Sequence, residues 1–325
     1  MKRLSQIIFL LTIFLIASIL LFNNKPSNKV KLKVAEVAHS IFYAPQYVSL
    51  HNGYFDEEGI DVEILLTPGA DKVATSVLSG DSQIGFSGPE ATIYVYNNSK
   101  QKLISFASLT KRDGQFIFGP CELKDKFNVT DFTNKVVLAG RSGGMPLLMF
   151  KYALKESNYD ENNLIIDSSV DFASLSSAYI SKQGAFVNLF EPNALKLEKE
   201  NYGCVLASLG NISGVVPYTT FYAKEEFIEN NKNIIKKFNK ALNKGIKFTK
   251  ENTYEEIANT IKSQFTDLSI EDLTEIVRRY KDADSWYEST YMNIDDYNRL
   301  QDIMIYGKVL DKKVDANNLI TNEFN

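Results

Sequence analysis

The sequence predicts an α/β protein of two lobes, each built on a doubly wound, mainly parallel sheet, closed by a helical C-terminal tail. Three observations carry this. Strand-like and helix-like segments alternate from Lys31, the alternation restarts after about residue 115, and from Glu225 the chain is almost wholly helical. At 325 residues it is long enough for two lobes of ordinary size.

In the first lobe, KLKVAEV is a β-rich run. APQYVSLHNGYFDEEG then carries apolar positions at helical spacing, interrupted at Gly53 and closed at Gly59. VEILLT is a second strand, ADKVATSVLSG a helix ended by Gly80, and QIGFSG a third strand. PEATIYVYNN opens a helix with proline in its first turn, and KLISFASLT is a further strand. In the second lobe KVVLAG is a strand, GMPLLMFKYALKES a helix, and NLIIDSS and GAFVNLF are strands, followed by GCVLASL and PYTTFYA. The expected boundaries are 1–30 for an N-terminal signal or anchor with its linker, 31–115 plus 218–325 for lobe 1, and 116–217 for lobe 2.

The N-terminus has the layout of an export signal: Lys2 and Arg3 precede an uncharged apolar run from Ile7 to Phe22, and NNKPSNK follows as a polar linker. As a helix the run spans about 24 Å, short of the roughly 30 Å hydrocarbon core. With no small-x-small site after it and no nearby cysteine for a lipid, it reads as an uncleaved anchor that leaves the remaining chain outside the membrane; a cleaved signal is the alternative. Outside the cell a disulfide between Cys121 and Cys204 is permitted, and two buried thiols are the other reading.

Composition and motifs exclude several functions. Lys plus Arg number 36 against 40 Asp plus Glu, with no basic-aromatic stripe for a nucleic acid. Gly140-Arg141-Ser142-Gly143-Gly144 fits a nucleophile elbow, but both histidines, His39 and His51, precede Ser142, whereas the elbow needs its histidine later. Two histidines and two distant cysteines give no metal-ligand cluster, and no phosphate-binding or dinucleotide glycine motif is present, so neither metal nor cofactor is expected.

Ligands of open α/β sheets collect beyond the carboxyl ends of the strands. That rule selects His39 to Tyr43, Thr67 to Gly69, Ser87 to Glu90, Thr110 to Arg112, Arg141 to Met145, Phe190 to Pro192 and Tyr218 to Thr220. Within these, His39, Phe42 and Tyr43 can stack on a flat ring and bond its edge. Glu191, at the end of the apolar VNLF, must meet a cation, a helix N-terminus or a ligand amine; Glu90, after Gly88-Pro89, is similar. Arg112 and Arg141 offer positive charge, and Gly143 and Gly144 let the backbone approach a ligand before the helix opening at Met145.

AEVAHSIFYAPQYVSLHNGYFDEEGIDVEI, SGDSQIGFSGPEATIYVYN, GRSGGMPLLMFKYAL and the closing DSWYESTYMNIDDYNRLQDIMIYGKVLD together resemble the NMT1/THI5-like branch of ABC-importer solute-binding proteins. The resemblance implies a periplasmic-binding-protein-like fold of type II, whose two sheets are joined by a hinge. It also implies a monomer that captures a small solute between the lobes and presents it to a membrane permease with a separate cytoplasmic ATPase. It places Ser40, Phe42 and Tyr43 on one cleft wall, with Gly88, Arg141 to Met145 and Glu191 also on the cleft. Aromatic stacking and a carboxylate favour a thiamine pyrimidine precursor or a similar amine-bearing heteroaromatic; sulfonate, taurine and nitrate are the alternatives. An enzyme of the pyrimidine-synthase type is a more distant reading, because that relative's cysteine cluster is absent.

Overall fold

The computed structural model describes residues 29–140, 142 and 144–325. The apolar N-terminal run, Arg141 and Gly143 therefore lie outside the described residues, and among the described residues no helix is long and apolar enough to cross a membrane.

The first sheet begins with β1 (Val30–Glu36), followed by a 3-10 turn at Ile41–Tyr43, α1 (Ala44–His51), α2 (Tyr54–Glu57) and β2 (Ile60–Leu66). α3 (Ala70–Ser79) stops where Gly80 takes a left-handed conformation (φ 92°), which costs a residue without Cβ little. β3 (Ile84–Ser87), α4 (Glu90–Asn98) and β4 (Leu103–Thr110) complete this stretch. The second sheet takes β5 (Phe116–Gly119), β6 (Val136–Leu138), α5 (Met145–Glu156), β7 (Ile165–Asp167), α6 (Leu175–Ile180), β8 (Phe186–Leu189), α7 (Asn193–Lys199) and β9 (Cys204–Ser208). After α8 (Leu209–Ser213) the chain returns to the first sheet as β10 (Thr219–Lys224). It ends in α9 (Glu225–Asn230), α10 (Lys232–Glu251), α11 (Tyr254–Ile261), α12 (Ile270–Asp282) and α13 (Ile294–Tyr306).

The strand orders are β2-β1-β3-β10-β4 and β7-β6-β8-β5-β9. Both sheets are mixed where repeated β-α-β units alone lead one to expect mostly parallel pairs. β1 and β3 are parallel, as are β7, β6 and β8, but β10 runs antiparallel between β3 and β4, and β5 runs antiparallel between β8 and β9. The first sheet takes β10 from beyond the second crossing, while every strand of the second sheet lies between the two crossings. The chain crosses between Thr110 and Phe116 and again between Ser208 and Thr219, and the two crossings are tied together: Tyr218 N–H donates to Thr110 O, Val216 N–H to Lys111 O and Leu209 N–H to Gln115 O (2.9, 3.0 and 2.9 Å).

Lys31–Asn325 form one compact unit. Its tail packs on the first sheet's helices as the apolar stripe of α10 requires: Ile235, Phe238, Leu242 and Ile246 are buried, and α1 meets α10 closely enough for Ser49 Oγ to donate to Ala241 O (3.2 Å).

Cys121 and Cys204 are joined in a disulfide, which settles the choice left open between bridge and buried thiols. Cys204 lies opposite Gly119 in the β5–β9 ladder, so Cys121 is brought to it by strand pairing across 83 residues of sequence. A Cys121→Ser/Cys204→Ser variant is expected to lose about 2 kcal/mol of unfolding free energy, the low end of the usual range, because the ladder's hydrogen bonds persist without the crosslink. Urea midpoints with and without reductant check this: reductant should shift only the parent.

Candidate functional site

The loop after β1 owes its unusual composition to a buried acid. Glu36, the last residue of β1, accepts from Gln46 Nε2 (2.9 Å), from the Tyr47 hydroxyl (2.9 Å to each oxygen) and from His39 Nδ1 (3.0 Å). His39 Nε2 donates to Gln264 O (3.0 Å), and its ring stacks on Phe265 at 4.8 Å. Both imidazole nitrogens thus face acceptors, and the bond to Glu36 raises the His39 pKa above its ordinary value. His39, expected to bond a ligand's edge, has both ring nitrogens engaged within the fold.

Ser40 caps the following turn, accepting from Phe42 N–H (3.2 Å), and Phe42 and Tyr43 of that turn are buried in the core. Phe42 sits at the centre of an aromatic cluster, 5.0 Å from Tyr280, 5.9 Å from Tyr218 and 6.1 Å from Phe190, the residue that follows β8. Its approach depends on Gly114, where a Cβ would lie 2.9 Å from both the Phe42 and Phe190 rings. Trp286 Nε1 donates to Phe42 O (2.8 Å) and fixes the loop from behind. Tyr43 packs edge-on against Phe86 at 4.5 Å.

Two carboxyl groups lie within this aromatic wall. Glu90 opens α4, and its side chain folds back over Gly88, so that a Cβ there would sit on the carboxyl. Its charge is felt by Tyr43, Tyr94, Tyr218, Tyr222 and Tyr297. The nearby hydroxyls are spent elsewhere, Tyr222 with Ser87 Oγ and Tyr297 with Thr92 Oγ1 (both 2.8 Å), and Glu90 Oε2 is buried with no hydrogen-bond partner. Burial pushes the Glu90 pKa up to about 7 against the opposing pull of its helix-start N–H. Asp113, in the first crossing, accepts from Gln115 N–H at Oδ1 (2.7 Å), while Oδ2 is buried without a partner at hydrogen-bond distance. The Tyr218 hydroxyl faces it more loosely. Burial dominates and pushes the Asp113 pKa up to about 8.

Glu191, expected on the cleft, is paired within the fold. Its carboxylate is enclosed, receiving Arg279 Nη1 at Oε1 (2.6 Å) and Leu195 N–H at Oε2 (2.8 Å). Of the three partners expected for it, the fold supplies the cation and the helix N-terminus, one to each oxygen. Arg112 is likewise engaged, with Asp284 O (3.3 Å) and Asp284 Oδ2 (3.2 Å). Gly144 precedes α5 and Met145 packs into the same core cluster as Phe42 and Tyr43.

The strand-end rule stopped at Arg112 and so missed Asp113 by one residue. Gln115 and Asn188, fully buried with both amide atoms unpartnered, were missed too. A polar residue amid the apolar run GAFVNLF was the available signal for Asn188.

Residues 41–256 match the family described as NMT1/THI5 like. The chain belongs to that family. Over 295 residues it is 38% identical to YtlA of Bacillus subtilis (strain 168), whose name is that of a binding protein; the match covers 90% of this chain and 88% of YtlA. The fold also matches the periplasmic aliphatic sulphonate binding protein SsuA from Escherichia coli, with TM-score 0.70 at 13% identity over 88% of this chain and 96% of SsuA. The periplasmic nitrate-binding protein NrtA from Synechocystis PCC 6803 matches with TM-score 0.69 at 14% identity, over 91% of this chain and 87% of NrtA. At such identities these two show the periplasmic-binding-protein-like fold alone, which the family member described here shares.

Proposed function

We propose that the chain is an extracytoplasmic solute-binding protein of an ABC importer, a binder rather than an enzyme, that captures an amine-bearing heteroaromatic such as a thiamine pyrimidine precursor. Family membership and the binding-protein names of its relatives support the role. One observation carries the ligand class: Asp113, buried, and Glu90, half-buried, each keep one enclosed, unpartnered oxygen among Phe42, Tyr43 and Tyr218. Aromatic faces and carboxylates together suit a flat ring bearing a cationic amine. Bare anions meet only like charge there once the acids ionise.

In this reading the lobes are residues 31–115 with 218–325, and residues 116–217, and the bonded crossings act as the hinge. Ser40, Phe42, Tyr43, Gly88 and Glu90 belong to one wall, Gly144 and Met145 to the other, while Asp113 stands at the hinge. A ligand bridging both walls biases closure by its differential affinity for the closed form. The closed lobes face a permease, with the chain exported and its N-terminal segment serving as tether or cleaved signal.

A thermal-shift panel tests this. A true ligand at a hundred times its dissociation constant adds about 2.7 kcal/mol, a rise of several degrees. 5-(Aminomethyl)pyrimidin-4-amine is expected to raise the melting temperature and to be recovered unchanged. A response confined to taurine, alkanesulfonates or nitrate would overturn the ligand class while keeping the importer role.

A further inference from the structure

We infer that the carboxamides of Gln115 and Asn188 form a second recognition element of the ligand site, reading a neutral donor-acceptor edge on the solute. The inference rests on the cleft reading above and adds to it the feature that selects among amine-bearing rings.

The two amides belong to adjoining parts of the second sheet: Asn188 is paired with Ile117 in the β5–β8 ladder, and Gln115 immediately precedes β5. They also share one end of it. Gln115 closes the crossing that carries Asp113, and Asn188 is two residues before Phe190, whose ring meets Phe42.

Neither amide has any side-chain partner. Nδ2 and Oδ1 of Asn188, and Nε2 and Oε1 of Gln115, are all buried without a hydrogen bond, and both residues have 0% exposure. Buried amides left unpaired are costly, and an apolar residue of like volume would pack these positions without that cost. A carboxamide offers one donor and one acceptor side by side, the complement of an amino group next to a ring nitrogen. Glu90 and Asp113 would then hold the solute's cationic arm while Gln115 and Asn188 read its ring edge.

The test uses the full chain in mild detergent, as the parent and as Gln115→Met, Asn188→Leu and the double variant. Two probes share a flat six-membered ring and an aminomethyl arm: 5-(aminomethyl)pyrimidin-4-amine carries the amino and ring-nitrogen edge, and benzylamine lacks it. The parent is expected to prefer the pyrimidine by at least tenfold, and the double variant to lose that preference while binding benzylamine as before. Its ligand-free melting temperature should rise by a few degrees, because four unpaired polar atoms have been removed. Equal loss of both probes, or a fall in ligand-free stability, would overturn the inference and make the amides structural. If the parent binds neither probe, the cation-binding reading fails by itself, and the sign of the ligand-free shift still decides whether the amides are unpartnered.

Discussion

Replacing Arg279 by methionine is expected to lower the melting temperature by about 5–8 °C at pH 8 and by clearly less at pH 5. The guanidinium, on α12, donates Nη1 to Glu191 Oε1 (2.6 Å) and Nε to Glu275 Oε1 (3.0 Å), and its Nη2 pairs with Glu198. α12 packs against the Ile41–Tyr43 turn beside the first sheet, whereas Glu191 and Glu198 flank and belong to α7 of the second. One side chain therefore joins both layers of the molecule.

Breaking a buried ion pair by removing one partner costs about 3–5 kcal/mol, chiefly because the other charge is stranded. Spread over the unfolding entropy of a chain this size, that amounts to the stated shift. Glu191 already has a raised pKa, with burial as the larger cause and Arg279 opposing it. Without Arg279 its pKa rises further, and below that value protonation relieves the stranded charge, so the penalty shrinks in acid. Adding Glu191→Gln to the variant should restore most of the loss at pH 8. A penalty equal at both pH values, or no rescue by the second substitution, would show that the cost comes from packing and not from the charge.

Sequence reasoning found the elements whose signals are local. Gly80 ends α3 and Pro89 precedes α4 because a left-handed residue and a missing N–H act on their immediate neighbours. It passed over β5, a four-residue strand between Gly114 and Pro120 with no helix of its own after it, whose place between β8 and β9 is set by the crossing. The candidate residues divide along the same line. Phe42, Tyr43 and Glu90 stand out in the sequence as candidates because they follow strands. Glu191 looked free because its cation stands 88 residues later, and the disulfide spacing meant nothing until β5 and β9 were neighbours. Asp113 becomes a buried acid only when Tyr218 and its neighbours cover it, which no local pattern announces.

Glu90 and Asp113 make the second large prediction, a pH dependence whose sign distinguishes the ligand classes. Both pKa values are raised, to about 7 and about 8, so the folded state binds their protons more tightly than the unfolded chain does. Their contribution to stability is fully present below about pH 4, the ordinary carboxylate range, and is lost as pH rises through 7 and 8. The ligand-free melting temperature should therefore fall from pH 5 to pH 8. His39, raised by Glu36, and buried Glu191 act in the same direction, while His51, lowered by burial, opposes them. Asp167, Glu256, Glu271 and Glu275 are lowered and act only in more acidic solution. Among the described residues the groups facing the two acids are tyrosines, with Tyr218 common to both. A cationic amine must ionise these carboxyls on binding, so its affinity should climb between pH 6 and 8 with release of protons. A sulfonate or nitrate would instead accept from the protonated acids and weaken over the same interval. The Glu90→Gln/Asp113→Asn variant should bind 5-(aminomethyl)pyrimidin-4-amine about 100- to 1,000-fold more weakly at pH 8, the roughly 3–4 kcal/mol expected when a buried charge loses its partners. It should also flatten the ligand-free slope between pH 7 and 8. Calorimetric titration in two buffers of different ionisation enthalpy measures affinity and proton release together. Affinity that falls with pH, or a variant that binds the amine undiminished, would take both acids out of the cationic site.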